Sequence, residues 1–188
     1  MALGGVLLAG APLAQTFEQG DPAAGRALAG QCRTCHGLDG FAQIPIAPHI
    51  GGEPAAYLAR QLAAFRDGTR QHEMMSVVAR SLTDAQIADL SAWYASHVAE
   101  ATLTVDQGDA PAQCTACHGA NGIAVAADGP HLAGESAIYI ETQLKAFRGG
   151  KRTHESMSEI AAGLDDAKIR ELADWYAAIE LTILPPGD

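Results

Sequence analysis

Four cysteines and two of the seven histidines fall in two identical patterns, Cys32-Arg-Thr-Cys35-His36 and Cys114-Thr-Ala-Cys117-His118. C-x-x-C-H is the attachment sequence of a c-type haem. Two thiols one helical turn apart match the two vinyl groups along one porphyrin edge, and the histidine that follows is held beneath the iron as a nitrogen ligand. The covalent thioethers prevent haem loss from a domain too small to bury it securely. Competing uses of the same residues are weaker. A zinc site would have to bring the two pairs together, yet they occupy equivalent places 82 residues apart in two repeats. A thioredoxin-type dithiol wants a βαβ setting, and a disulfide framework requires no histidine after each pair.

The second axial position decides whether such an iron transfers electrons or does chemistry. Beyond the initiator the methionines are Met74, Met75 and Met157, and the 82-residue shift pairs Met157 with Met75. A thioether disfavours the ferric charge relative to a second imidazole and raises the reduction potential. Met75 and Met157 are therefore read as the axial partners of His36 and His118, and Met74 as packing, the ordinary use of methionine. His72 and His154 precede these methionines by three residues, and His49 and His131 follow Pro48 and Pro130. As ligands of a bis-histidine centre these four are the weaker alternative; they read first as polar loop residues near the haem edge or between the units. His97 is replaced by Ile179 in the second copy and is expected on a solvent-facing helix surface. Arg70 and Arg152 repeat before each methionine, where they either neutralise haem propionates or hydrogen-bond across an interface.

The elements that must position these residues come in duplicate. Shifted by 82 positions, the halves superimpose without a gap from Cys32 to Val98, with close to half the positions identical. This is a duplicated domain rather than a recurring short motif. Within each unit the signals are helical. Asp21 and Pro22 start a helix running to Gln31, with an N-cap and proline at the first position. Pro54 opens a second that ends at Gly68. Thr83 and Gln86 form a capping box for a third, with Ile87, Leu90, Tyr94 and Val98 on one face. Unit two repeats the last two as 136–148 and 165–180, and its first helix must be shortened or lost. No stretch alternates convincingly at strand period. The loops 37–53 and 119–135, rich in Gly, Pro and Ala, are long for such small units and need something to wrap.

With these motifs in place, the chain resembles the dihaem cytochromes c4. The resemblance rests on the two C-x-x-C-H motifs, on Arg70-x-His72-x-x-Met75 and Arg152-x-His154-x-x-Met157, on Phe65 to Arg70, and on Leu82 to Leu90. It implies an all-α fold of two tandem class I cytochrome c domains, 15–100 and 101–188, related by a pseudo-twofold axis, with two covalently bound haem c groups. It also implies that the carbonyls of Pro48 and Pro130 orient the proximal histidines by accepting their ring N–H groups. The chain is similar as well to the haem subunit of flavocytochrome c sulfide dehydrogenase, in which case a flavoprotein would be a permanent partner.

Composition narrows the function classes. The formal net charge of −10, from twelve basic and 22 acidic residues, excludes electrostatic binding to nucleic acid or anionic lipid. The apolar run Leu3–Leu13 resembles a secretory signal peptide over residues 1–14, without a positive amino-terminal region, and is too short to span a bilayer. The expectation is an exported, periplasmic chain with at most peripheral membrane association. It would carry electrons from a donor dehydrogenase or quinol-oxidising complex to an acceptor oxidase or reductase; the alternative is a permanent haem subunit of a dehydrogenase. An enzyme of its own is disfavoured, because methionine at both irons closes the site a peroxidase needs and no fifth cysteine remains for a thiolate ligand. From residue 101 onward six basic residues face thirteen acidic ones. That polarity would meet a basic partner surface, with association slowed by salt. Only four Phe, four Tyr and two Trp are present, few for two aromatic cores. A porphyrin at the centre of each unit would fill that place.

Overall fold

Short-range signals decide where most helices begin. In the computed structural model, which describes residues 20–104, 106 and 111–187, Asp21 caps α1 (Pro22–Leu28) by accepting from the Ala23 amide. A 3-10 turn over Ala29–Gln31 leads into α2 (Arg33–His36). Then follow α3 (Ala55–Asp67), α4 (Met75–Ala79) and α5 (Asp84–Ala95), the last opened by the Thr83–Gln86 capping box. Unit two repeats the plan with α6 (Ala112–His118), α7 (Ala137–Arg148), α8 (Glu155–Ala162) and α9 (Asp166–Ala177). Ser136 and Asp165 cap α7 and α9 through their side chains. The expected signal segment lies outside the described residues.

Unit one is closed by α1 crossing α5. A Cβ on Gly25 would come within 2.0 Å of the Asp89 carbonyl oxygen, so only glycine permits the approach. The Asp21 amide donates to the Asp89 carboxylate at the same crossing (2.8 Å). Unit two has no counterpart to α1 among its described residues, and α6 carries its C-x-x-C-H directly. Ile87, Leu90 and Tyr94 of α5 and Ile169, Leu172 and Tyr176 of α9 are fully or nearly fully buried, so the helical stripe reads true in both copies.

Two expectations at the helix ends fail. Val98 belongs not to the buried face of α5 but to a strand, β1 (Val98–Thr102), and is half exposed. Likewise α9 stops at Ala177, and the chain continues as β2 (Glu180–Leu184). The two strands pair antiparallel, Val98 with Leu184 and Thr102 with Glu180, centred on Glu100 and Thr182. The 82-residue shift carries Val98 onto Glu180 and Thr102 onto Leu184, so the register maps onto itself about the pseudo-twofold axis. Each strand is five residues with a weak alternation, and its only partner lies in the other unit. A window on one unit therefore carries no strand signal. The all-α reading holds apart from this ribbon.

Candidate functional site

In unit two the C-x-x-C-H occupies the last turns of α6, and in unit one it is the whole of α2 together with its N-cap Cys32. None of the four cysteines is joined in a disulfide; burial pushes the Cys32 and Cys114 thiols up, and each lies beside a tyrosine hydroxyl, Tyr94 and Tyr176 respectively. His36 Nδ1 sits 2.9 Å from the Pro48 carbonyl and His118 Nδ1 2.8 Å from that of Pro130. A carbonyl only accepts, so in both rings Nδ1 carries the proton and Nε2 is left with its lone pair. Both imidazoles are buried, and desolvation outweighs the carbonyl contact to lower their pKa. A neutral imidazole with a fixed tautomer is the form that binds a metal.

Met75 and Met157 are each partly buried at the start of a short helix, and Met75 packs on the unit-one core together with Cys32. The histidine three residues earlier meets the methionine amide in both units: His154 is the N-cap of α8, and His72 does the same from two residues before Met74, the N-cap of α4. His154 Nδ1 accepts from the Met157 amide (3.4 Å) while Ser158 Oγ accepts from the His154 amide (3.0 Å). His72 and Ser76 repeat the pattern at 3.4 and 3.0 Å. The R-x-H-x-x-M spacing is thus a capping device that holds the methionine backbone. Met74, expected to pack, is instead 59% exposed: it precedes the helix and points outward because Met75 takes the inward position.

His49 and His131 lie between the units, and both ring nitrogens of each are committed. Nδ1 of His49 accepts from the Ala42 amide and Nε2 donates to the Gly134 carbonyl; Nδ1 of His131 accepts from Ala124 and Nε2 donates to Gly52. Neither ring has a lone pair left for iron. Arg70 and Arg152 also reach across the interface. Arg70 donates to Gln61 (2.6 Å), Gln143 (2.8 Å) and the Tyr139 hydroxyl (3.4 Å); Arg152 donates to Gln143 (2.9 Å), Gln61 (3.1 Å) and the Tyr57 hydroxyl (3.2 Å). Burial pushes Tyr57 up to about 12. His97 corrects its expectation outright: it is 4% exposed, Nδ1 lies 3.0 Å from the Trp93 carbonyl, and its ring meets Trp93 edge-on. Its place at the turn between α5 and β1 folds it inward against the preceding helical turn.

Sequence reasoning missed Glu53 and Glu135. Both are 3% exposed at the interface. Glu53 accepts from the His131 amide through both oxygens (3.0 and 3.1 Å), and Glu135 accepts from the His49 amide (2.9 Å). Burial raises Glu53 to about 8, and burial together with the neighbouring Glu53 raises Glu135 well above the usual carboxylate range. The one signal for them was an acid repeated at the same place, after Gly52 and Gly134.

In each unit the donor set has the chemistry of a haem c site: two unpaired thiols, an imidazole with a free Nε2, and a thioether on a capped helix. Comparisons with known proteins agree. Residues 22–97 match the cytochrome c family model, and residues 108–175 that of cytochrome c oxidase, cbb3-type, subunit III. Cytochrome c4 of Pseudomonas aeruginosa is 36% identical over 181 residues, covering 85% of this chain and 89% of that protein. A thiosulfate dehydrogenase electron acceptor of Thiomonas intermedia is 34% identical, covering 82% of this chain and 81% of its own length. Among solved structures, reduced recombinant cytochrome c4 from Pseudomonas stutzeri has a TM-score of 0.75 at 27% identity, covering 86% of this chain and all of that one. Thiosulfate dehydrogenase TsdBA from Marichromatium purpuratum has a TM-score of 0.73 at 33% identity, covering 85% of this chain and 40% of that one.

Proposed function

This chain belongs to the dihaem cytochrome c4 family, and from that premise we propose that it is a periplasmic carrier of single electrons between a respiratory donor and a terminal oxidase or reductase. It is a dihaem c-type electron-transfer protein rather than an enzyme, with two covalently bound haem c groups. A haem c supplies an iron that cycles between ferrous and ferric states. Under this proposal Cys32, Cys35, Cys114 and Cys117 form the thioethers, His36 and Met75 ligate one iron, and His118 and Met157 the other. Pro48 and Pro130 hold the histidine tautomers by accepting from Nδ1, which raises the basicity of the ligating nitrogen. His72 and His154 fix the backbone of each methionine. With Met75 and Met157 as ligands, a thioether at each iron would keep the potentials high and close the irons to small ligands.

The observation that carries this reading is the same imidazole–carbonyl pair, with Nε2 free, in both halves of a duplicated chain. Arg70 and Arg152 belong to it at one remove: their guanidinium groups hydrogen-bond across the units, and under this proposal their positive charge would also offset that of the haem propionates. A second reading, as the electron-accepting subunit of a dehydrogenase, is favoured by likeness to the thiosulfate dehydrogenase electron acceptors. Mild purification from the native periplasm separates the two. A carrier elutes alone, and a subunit brings a dehydrogenase with it in fixed proportion. Recovery from the cytoplasm without haem would contradict both.

A further inference from the structure

One peptide group ties each unit to the other. The Pro48 carbonyl accepts from His36 Nδ1, and the N–H of the same peptide, on His49, donates to Glu135 of unit two. The Pro130–His131 peptide does the reverse: its carbonyl accepts from His118 Nδ1, and its N–H donates to Glu53 of unit one. Each buried carboxyl group therefore stands one peptide away from the C-x-x-C-H imidazole of the other unit. Neither glutamate forms an ion pair among the described residues, and Oε2 of Glu135 is buried without a hydrogen-bond partner.

We propose that Glu53 and Glu135 are positioning residues that tune the irons across the interface, Glu135 acting on the one held by His36 and Glu53 on the one held by His118. The inference rests on the axial-ligand reading above. Hydrogen bonds in a chain polarise one another. A charged carboxylate pulls on the peptide N–H, makes the proline carbonyl a stronger acceptor, and leaves the imidazole richer in electrons; that favours the ferric state and lowers the potential. A neutral carboxyl group accepts more weakly and relaxes the effect. Burial holds Glu53 neutral up to about pH 8, so charge reaches the route in mildly alkaline solution.

The titratable groups around the pair are few. Each carboxyl group faces the other, and Glu53 also faces Tyr57, which stands beside Arg152 and Arg70. His49 and His131 remain neutral because both ring nitrogens of each are committed.

The test uses the dihaem protein and the isosteric variants Glu53→Gln and Glu135→Gln, which keep an acceptor for the amide. Both potentials are followed by spectroelectrochemistry from mildly acid pH through about 8 and beyond. Met75→His and Met157→His, each lowering its own iron, assign the two waves. In the native protein both potentials should fall as the carboxyl groups ionise. Glu53→Gln should abolish the fall at the His118 iron alone, and Glu135→Gln at the His36 iron alone. The Nδ1–H proton resonances of the two ligating histidines, followed with pH in the reduced native protein, should move over the same range; this readout needs no variant. A change at the same-unit iron, an equal change at both, or flat potentials and resonances with ligation intact would overturn the coupling alone. Spectra showing that His36 and His118 are not ligands would overturn the axial-ligand reading, and the coupling with it.

Discussion

At the scale of single residues, a histidine's role here follows from which of its nitrogens is already spoken for. His36 and His118 have one nitrogen bonded to a proline carbonyl and one free, whereas His49 and His131 have neither free. His72 and His154 spend Nδ1 on capping. The methionines divide in the same way. Met75→Ala and Met157→Ala are each expected to remove one low-spin His/Met signal and lower the potential of one haem, read by redox titration. Met74→Ala, at an exposed position, should leave both potentials in place; a shift there would mean that the register between the repeats is wrong. The tautomer-fixing contacts of His36 and His118 and the inward placing of Met75 over Met74 were legible because spacing within each motif, and equality between the two motifs, are local properties. His97 was not, since its burial depends on a bend after α5 that no residue type announces. Glu53 and Glu135 were not either, because an acid in a sequence rich in acids is unremarked until its surroundings are known.

Elements were most legible where a cap or a breaker marks them. The Asp21–Pro22 start, the Thr83–Gln86 box and the caps of α7 and α9 all stand where their side chains say they should. The strands were not legible, because each needs a partner from the other unit and neither is long enough to declare itself. The α1–α5 crossing supplies a prediction at this scale. Gly25→Ala gains about 1 kcal/mol of helix propensity, but its Cβ would stand 2.0 Å from the Asp89 carbonyl oxygen. Overpacking of that kind costs about 1–3 kcal/mol, so denaturant unfolding should show a net loss. Gly30→Ala, where a Cβ would meet nothing within 4 Å, should be neutral or slightly stabilising. Equal effects of the two would contradict the packing described for α1.

For the whole molecule, the duplicated sequence and the self-consistent strand register give one architecture, two haem-bearing units about a pseudo-twofold axis. Its polar interface holds crossed arginine, glutamine and tyrosine contacts together with the two buried carboxyl groups. Glu53 is raised from an ordinary 4.5 to about 8 in the folded chain. Between those values the folded state binds more protons than the unfolded one, so stability falls as pH rises. The contribution is complete below about 4.5 and is lost by about 8. Urea unfolding across that range should show the native protein losing stability relative to Glu53→Gln, by on the order of a few kcal/mol at most. Parallel curves would mean that the carboxyl group is solvated. The shortage of aromatic residues also belongs to this scale: under the haem reading a porphyrin in each unit would fill what Phe and Trp otherwise have to fill.

The central claim is that each chain carries two independent one-electron centres of the same kind. A coulometric reductive titration of the purified dihaem protein, followed by optical and paramagnetic resonance spectra, tests it directly. The account predicts two electrons taken up per chain, with both irons low-spin and His/Met-ligated in the oxidised state. Uptake of a single electron, or a high-spin iron open to peroxide in the native protein, would contradict it.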